Sequence, residues 1–400
     1  MPPIQQNIIG LLIGFLVLTV TVFRSDPFFV SNSHTLVLAA LVVLGQALIF
    51  GFVARLLNRP FWKGLVLMGI FETMLYGIMV VSPRFYTPTM AMPDGKTKEF
   101  ISSFDHLLKT LHNRTWGNTV QHTLGRFDAQ VGYVLKSGNG VFGNHGFEHQ
   151  YAINSLGLRD SEAALEDPKI VFVGDSFTMG WGVAQSEAFP QRVGVLMNQK
   201  TLNAGISSFG TARELLLLNR LPLDSCTTLV VQYCENDVVE NQQFIANNFR
   251  ISPDSLQFQM AQRRNDYGVY FFCKYTQTLL SEALQNIATR IAPQPKPATT
   301  ASKSSALDAE ARNFVTILEQ MKKRFKGKIV VIYVDAIGRP SKLPAFERLA
   351  QGQLLEGVAF VDVLTPLNAQ QHGLIYDDHI NAAAHQHIAV QLAAYLNKNK

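Results

Sequence analysis

Four short stretches hold the residues best suited to chemistry. Ser176 stands in Gly174-Asp175-Ser176-Phe177, directly after the apolar run KIVFV at 169–173. A serine hydroxyl is a poor nucleophile at neutral pH and needs an adjacent base. His379 is the matching base, in YDDHINAAAH at 376–385, with Asp377 and Asp378 just before it. A carboxylate on the second imidazole nitrogen holds the tautomer and stabilises the imidazolium. Asp377 suits that part better, because alternate residues of an extended segment share a side and adjacent ones do not. Asp378 stays open as the alternative. Gly205 ends the run TLNAG at 201–205, and Asn236 and Asp237 follow TTLVVQYC at 227–234.

Each residue also has a plain structural use. Serine caps helices, glycine makes turns, and asparagine closes Asx turns. Asp175 and Asp237 read as turn-closing residues, His385 and His387 as surface or packing residues, and Trp181 as cleft wall or packing. What favours chemistry is the place of all four stretches relative to the elements. Strands are predicted at 169–173, 201–205, 227–234, 328–336 and 358–363. Helices are predicted at 187–199, 212–221, 307–325 and 382–396. Continuous apolar strands separated by helices indicate an α/β unit, a parallel sheet covered on both faces. Function in such a sheet gathers at the carboxyl ends of the strands, and Ser176, Gly205 and Asn236 each follow a strand there. The insertion 242–306 breaks the rhythm, and its end, APQPKPATTASKSS, reads as a low-complexity loop.

The four blocks, GDSF, NAGISSFGT, END and DDHIN in that order, resemble the SGNH (GDSL-type) hydrolase family over about residues 150–395. The resemblance implies a flavodoxin-like three-layer α/β/α domain at 161–400. It makes Ser176 the nucleophile, His379 the base and Asp377 the acid. The oxyanion donors become the backbone N–H groups of Ser176 and Gly205 and the Asn236 amide. The family often spaces its acid three residues before the histidine; Tyr376 stands there in this chain. The G-x-S-x-G elbow of α/β-hydrolases does not fit, because Thr178 occupies the last glycine position. No cofactor or metal is called for.

The remaining sequence points to a membrane. Hydrophobic residues make up 47% of the 400, and the mean hydropathy is +0.10. Apolar stretches at 8–23, 35–53 and 64–81 have about the length of a membrane span. Arg55, Arg59 and Lys63 lie between the second and third, against Arg24 beside Asp26 between the first and second. The positive-inside rule then places the amino terminus and the 54–63 loop in the cytoplasm and everything after Ser82 outside, the periplasm in a bacterium. Residues 1–83 form the anchor in this reading, and 84–160 a juxtamembrane extension with a helix near 98–112 and irregular β structure. Gly10 and Gly14 make a GxxxG pair suited to close helix approach. Glu72 falls mid-span, either bonded within the helix cluster or meeting a partner membrane protein.

A net charge of +5 without a basic run interleaved with aromatics argues against nucleic-acid binding. Cys226, Cys234 and Cys273 have no metal spacing; buried free thiols are the favoured reading over a Cys226–Cys234 bridge. The expectation is a membrane-anchored, extracytoplasmic serine esterase or O-acyltransferase. Its substrates would be acyl esters, acetyl above all, of a cell-envelope glycan. Some relatives of this layout, the resemblance implies, work beside a multi-span membrane O-acyltransferase. The contrasting expectation is a non-catalytic assembly subunit that keeps the fold as a scaffold.

Overall fold

The computed structural model describes residues 3–23, 32–85, 120–144, 147–268, 276, 279, 300–352, 355–374 and 378–399. The chain forms two compact units, Met1–Asn118 with Gln259–Lys296, and Thr119–Phe258 with Pro297–Lys400.

In the first unit, apolar sequence folds as three helices, Pro3–Phe23, Asn32–Leu56 and Phe61–Phe85, at the positions of the three expected spans. Among the described residues, one stretch, Phe61–Ile78, is long and apolar enough to cross a bilayer; Pro3–Leu18 and Ala40–Leu56 are shorter apolar helices. Gly10 faces the ring of Phe52, and Gly14 faces Ile49 and the Gly45 carbonyl, so a side chain at either position would collide with the second helix. Glu72 is buried, and the Thr276 hydroxyl donates to its Oε1. The carboxyl thus finds a partner within the chain. The helix expected near 98–112 lies outside the described residues.

The second unit opens with two antiparallel hairpins, β1 (Gly125–Asp128) with β2 (Gly132–Leu135), and β3 (Gly138–Asn144) with β4 (Phe147–Ile153). Val131, Tyr133, Val134 and Leu135 are buried. The Tyr133 hydroxyl donates to the Ser207 carbonyl. Arg220 forks onto Asp128, with N···O distances of 2.7 and 2.8 Å.

Five parallel strands follow: β5 (Ile170–Gly174), β6 (Thr201–Gly205), β7 (Thr228–Tyr233), β8 (Lys328–Tyr333) and β9 (Val358–Val361). Their spatial order is β6-β5-β7-β8-β9, the doubly wound order 2-1-3-4-5 of flavodoxin-like sheets. The strands read as unbroken apolar runs because successive residues feed opposite cores. Val171, Val173, Leu229 and Val231 point to one side, where helices Thr211–Leu217, Thr300–Arg324 and Leu343–Gly352 contribute Leu215, Phe314 and Phe346. Ile170, Phe172, Val230 and Val330 point to the other, against Phe189 and Val193 of helix Phe189–Met197 and Ile388 of helix Ala382–Lys398.

Three elements depart from the expectation. Asp237–Ala246 is helical, a short polar stretch with little apolar rhythm. Leu343–Gly352 is a helix whose buried Leu343, Phe346 and Ala350 follow helical spacing. The helix expected from 307 begins at Thr300, so TASKSS is helical rather than loop. Alanine, lysine and serine all tolerate a helix, and composition alone hid this.

Candidate active site

Ser176 opens a single helical turn, Ser176–Met179, at the carboxyl end of β5. The turn is fixed from below. Gln232, buried within β7, accepts from the Asp175 N–H at 3.0 Å and the Thr178 hydroxyl at 2.9 Å, and donates to the Val334 carbonyl at 3.1 Å. Asp175 Oδ1 accepts the Phe177 N–H at 2.9 Å as the N-cap. The turn ends at Gly180, whose φ of +86° only glycine adopts readily. Beyond it, the fully buried Arg159 donates to the carbonyls of Met179, Gly180 and Val183 and lies 3.7 Å over the Tyr151 ring.

Gly205 pairs in register with Gly174. A Cβ there would overlap the Met179 amide, so the close approach of the nucleophile turn requires glycine. Asn203 spans the same gap, donating to the Thr178 carbonyl and accepting the Gly205 N–H, both at 3.0 Å. The Gly205 N–H, expected as an oxyanion donor, is therefore committed to Asn203. Its role in this arrangement is the space its missing side chain leaves.

Asn236 lies on the exposed turn after β7, with Nδ2 3.0 Å from Asp175 Oδ2. Cys234 Sγ is 3.0 Å from that carboxylate oxygen and 2.9 Å from Asn236 Oδ1. Asp237 is buried and closes the turn. Its Oδ2 accepts the Cys234 N–H at 2.7 Å, and its Oδ1 accepts from the Thr211 N–H and hydroxyl. Burial raises the Asp175 carboxyl, and raises Asp237 well above the usual carboxylate range.

His379 arrives from the other end of the chain. The segment before helix Ala382–Lys398 pairs Gly373 with Ile380, Leu374 N donates to the His379 carbonyl at 2.8 Å, and Ile380 is fully buried. Asn381 caps the helix through the N–H groups of Ala383 and Ala384. The result sets His379 Nε2 2.6 Å from Ser176 Oγ. The imidazole lies between Phe177, at 4.8 Å between centroids, and Trp181, stacked at 5.3 Å and 24°. Trp181 in turn packs on Phe142 and Phe147 of the second hairpin, so it both packs and borders the site.

Asp377 lies outside the described residues; Asp378 is exposed. His385 is fully buried, accepts the Phe189 N–H on Nδ1, and is pushed down to about 3 mainly by burial, which keeps it neutral. His387 contacts the Thr365 carbonyl. Cys226 and Cys234 are both free thiols, and Cys273 lies outside the described residues. Among the described residues no group of three or more histidine, cysteine or carboxylate side chains could hold a metal.

Reading the sequence for nucleophile and base passed over the residues that hold them: Gln232, Asn203, Arg159 and Cys234. Gln232 carried a signal, since a polar side chain inside a buried apolar strand must find partners. Arg159 follows the turn at Gly157 and carried none.

No family model and no curated protein matches the sequence. Solved structures resemble it in part. A protein named for the G-D-S-L lipolytic family, from Desulfitobacterium hafniense, is 10% identical over 57% of this chain and 98% of its own, with a TM-score of 0.33. An acetyl xylan esterase from the rumen bacterium Butyrivibrio proteoclasticus is 13% identical over 58% and 64%, with a TM-score of 0.36. A salicylyl-acyltransferase from a tetracycline biosynthetic pathway is 13% identical over 57% and 56%, with a TM-score of 0.32. At these TM-scores the likeness decides nothing about this chain, and the site is read from its own geometry.

Proposed function

We propose that this chain is a serine-dependent acyl-transfer enzyme, an esterase or O-acyltransferase. The observation that carries the proposal is the 2.6 Å approach of His379 Nε2 to Ser176 Oγ, at the carboxyl edge of a parallel sheet. In this reading Ser176 Oγ attacks an ester carbonyl as its proton passes to Nε2. The charge developing on the carbonyl oxygen is met by the Ser176 N–H and by the Asn236 amide hydrogen not given to Asp175. His379 then protonates the departing alcohol, leaving the acyl group on Ser176. Water or a second hydroxyl, activated by the same imidazole, takes the acyl group in the return step. Asp377 is assigned to the other imidazole nitrogen, with Asp378 as alternative. Gly205 would join as a donor only after releasing Asn203.

The three apolar helices are assigned as a membrane anchor, supported by their sequence positions, the glycine contacts between the first two, and Arg55, Arg59 and Lys63 in one loop. The amino terminus is placed inside and the sheet domain outside, in the periplasm of a bacterial cell. The substrate class that fits this location is acetyl or similar esters on cell-envelope glycans, with a multi-span O-acyltransferase as a candidate partner. Trapping Ser176 as an acyl-enzyme and weighing the adduct tests the chemistry and names the acyl group. A reporter fused after Ser82 should be active outside and one near Arg59 inside; the reverse would overturn the topology.

A further inference from the structure

Resting on the reading of Ser176 as the nucleophile, we propose that Asp175 is a positioning residue that sets the orientation of the Asn236 amide and so reserves one of its N–H bonds for the oxyanion. Asn236 is exposed, and an asparagine amide turns easily about its last torsion. Left to solvent, it could present oxygen or nitrogen to the substrate, and only nitrogen stabilises an oxyanion.

The surroundings admit one orientation. The Asp175 carboxylate can only accept, so the group 3.0 Å from its Oδ2 is the amide nitrogen. The amide oxygen then lies 2.9 Å from Cys234 Sγ, a weak donor whose single hydrogen serves either this oxygen or Asp175 Oδ2. The reverse orientation would press two oxygens together at Asp175. The nitrogen carries two hydrogens; one is held by Asp175, and the other is left for substrate. The same carboxylate caps the Ser176 turn through the Phe177 N–H at 2.9 Å. One side chain thus couples the nucleophile to an oxyanion donor from a different strand.

The structural alternative is that Asp175 serves only as that cap. Asp175→Asn separates the two. The new side chain keeps an oxygen for the Phe177 N–H but turns a donor toward the Asn236 nitrogen, which must rotate away. The probes are p-nitrophenyl acetate and its thiono analogue, in which sulfur replaces the carbonyl oxygen and weakens hydrogen bonding to the oxyanion. With the full chain, Asp175→Asn should lower kcat for the ester about a hundredfold, the usual effect of losing one oxyanion donor, with KM little changed. Asn236→Ala should lose about as much, and the double variant should be no worse than either single. The rate advantage of the ester over the thionoester should shrink equally in all three.

If Asp175→Asn costs the same factor in the Asn236→Ala background as in the native one, Asp175 acts through the Ser176 turn and the proposal is wrong. It is also wrong if Asn236→Ala leaves the rate and the thiono ratio unchanged while Ser176→Ala abolishes turnover. Should Ser176→Ala itself change nothing, the enzyme reading fails, an outcome distinct from both. If Asp175→Asn does not fold, Cys234→Ala decides. It removes the thiol from both the amide oxygen and Asp175 Oδ2 while leaving the Phe177 cap in place, and should give a several-fold loss that vanishes in the Asn236→Ala background; a loss that persists there overturns the proposal.

Discussion

Ser176 and His379 meet across one 2.6 Å contact, but the segments that carry them are held by different means. The Ser176 turn is gripped by buried side chains: Gln232 beneath it, Asn203 beside it, Asp175 at its start and Arg159 under its exit. The His379 segment is held by a backbone bridge, one buried isoleucine and an asparagine cap, and its ring is positioned by aromatic faces. Buried, directional bonds allow little movement, whereas ring stacking tolerates sliding and tilting. The nucleophile turn is therefore the fixed reference of the site, against which the packed imidazole is set.

The largest effects should come from breaking the contact where the two segments meet. Ser176→Ala deletes one oxygen and His379→Ala removes the ring. Each should lower ester turnover by several orders of magnitude while the variant stays folded. The pair should be little worse than either single, because the residues act as a unit. Turnover and thermal melting on the same preparations check this; additive losses would mean that the two residues do not share a step.

Next in size should be Arg159→Met, which strikes the grip on the nucleophile turn. Three carbonyls lose their donor, and a buried group left unsatisfied costs about 1–3 kcal/mol. The variant should melt well below the native protein, and turnover should fall with it, because the stretch carrying Trp181 is no longer tied down. Asn381→Ala makes the matching change on the other side. Loss of a helix cap costs about 1 kcal/mol, and turnover should drop only several-fold. A denaturation series on both variants sharpens the comparison; equal losses would show that both segments depend on packing alike.

The same contrast decides what could be read from the sequence. Strands β5, β7 and β8 were legible because both of their faces are largely apolar, and that leaves a nearly continuous signature. Ser176, Gly205, Asn236 and His379 were legible because each follows or precedes an element whose end is marked. What holds them was not. Asn203 sits two residues before Gly205 and reads as part of the strand. Arg159 acts on carbonyls some twenty residues onward, and no local pattern reports a cation that bonds to main chain. The commitment of the Gly205 N–H to Asn203 follows from side-chain rotation, which spacing does not encode. The helix Leu343–Gly352 was within reach, as its apolar spacing shows, whereas Asp237–Ala246 offered too little periodicity.

The smallest effect should be one of pH on stability, confined to the side that is fixed by buried polar groups. Behind the Ser176 turn, Glu214 is buried, and neither carboxyl oxygen has a hydrogen-bond partner among the described residues. Burial first, and then the neighbouring carboxylates of Asp237, Asp175 and Glu240, push its carboxyl well above the usual range. In the unfolded chain it would ionise near pH 4, at about the ordinary glutamate value. Between that pH and the raised value, the folded protein holds a proton that the unfolded chain has lost. Stability must then fall as pH rises through this window, by no more than about 1.4 kcal/mol per pH unit for one group. Glu214→Gln removes the proton and should flatten that slope without changing turnover, since Glu214 touches neither Ser176 nor His379. Chemical denaturation of both proteins from pH 5 to pH 8 reads the difference directly. A slope unchanged by the substitution would place the proton elsewhere, with Asp237 the next carboxyl to test by the same measurement.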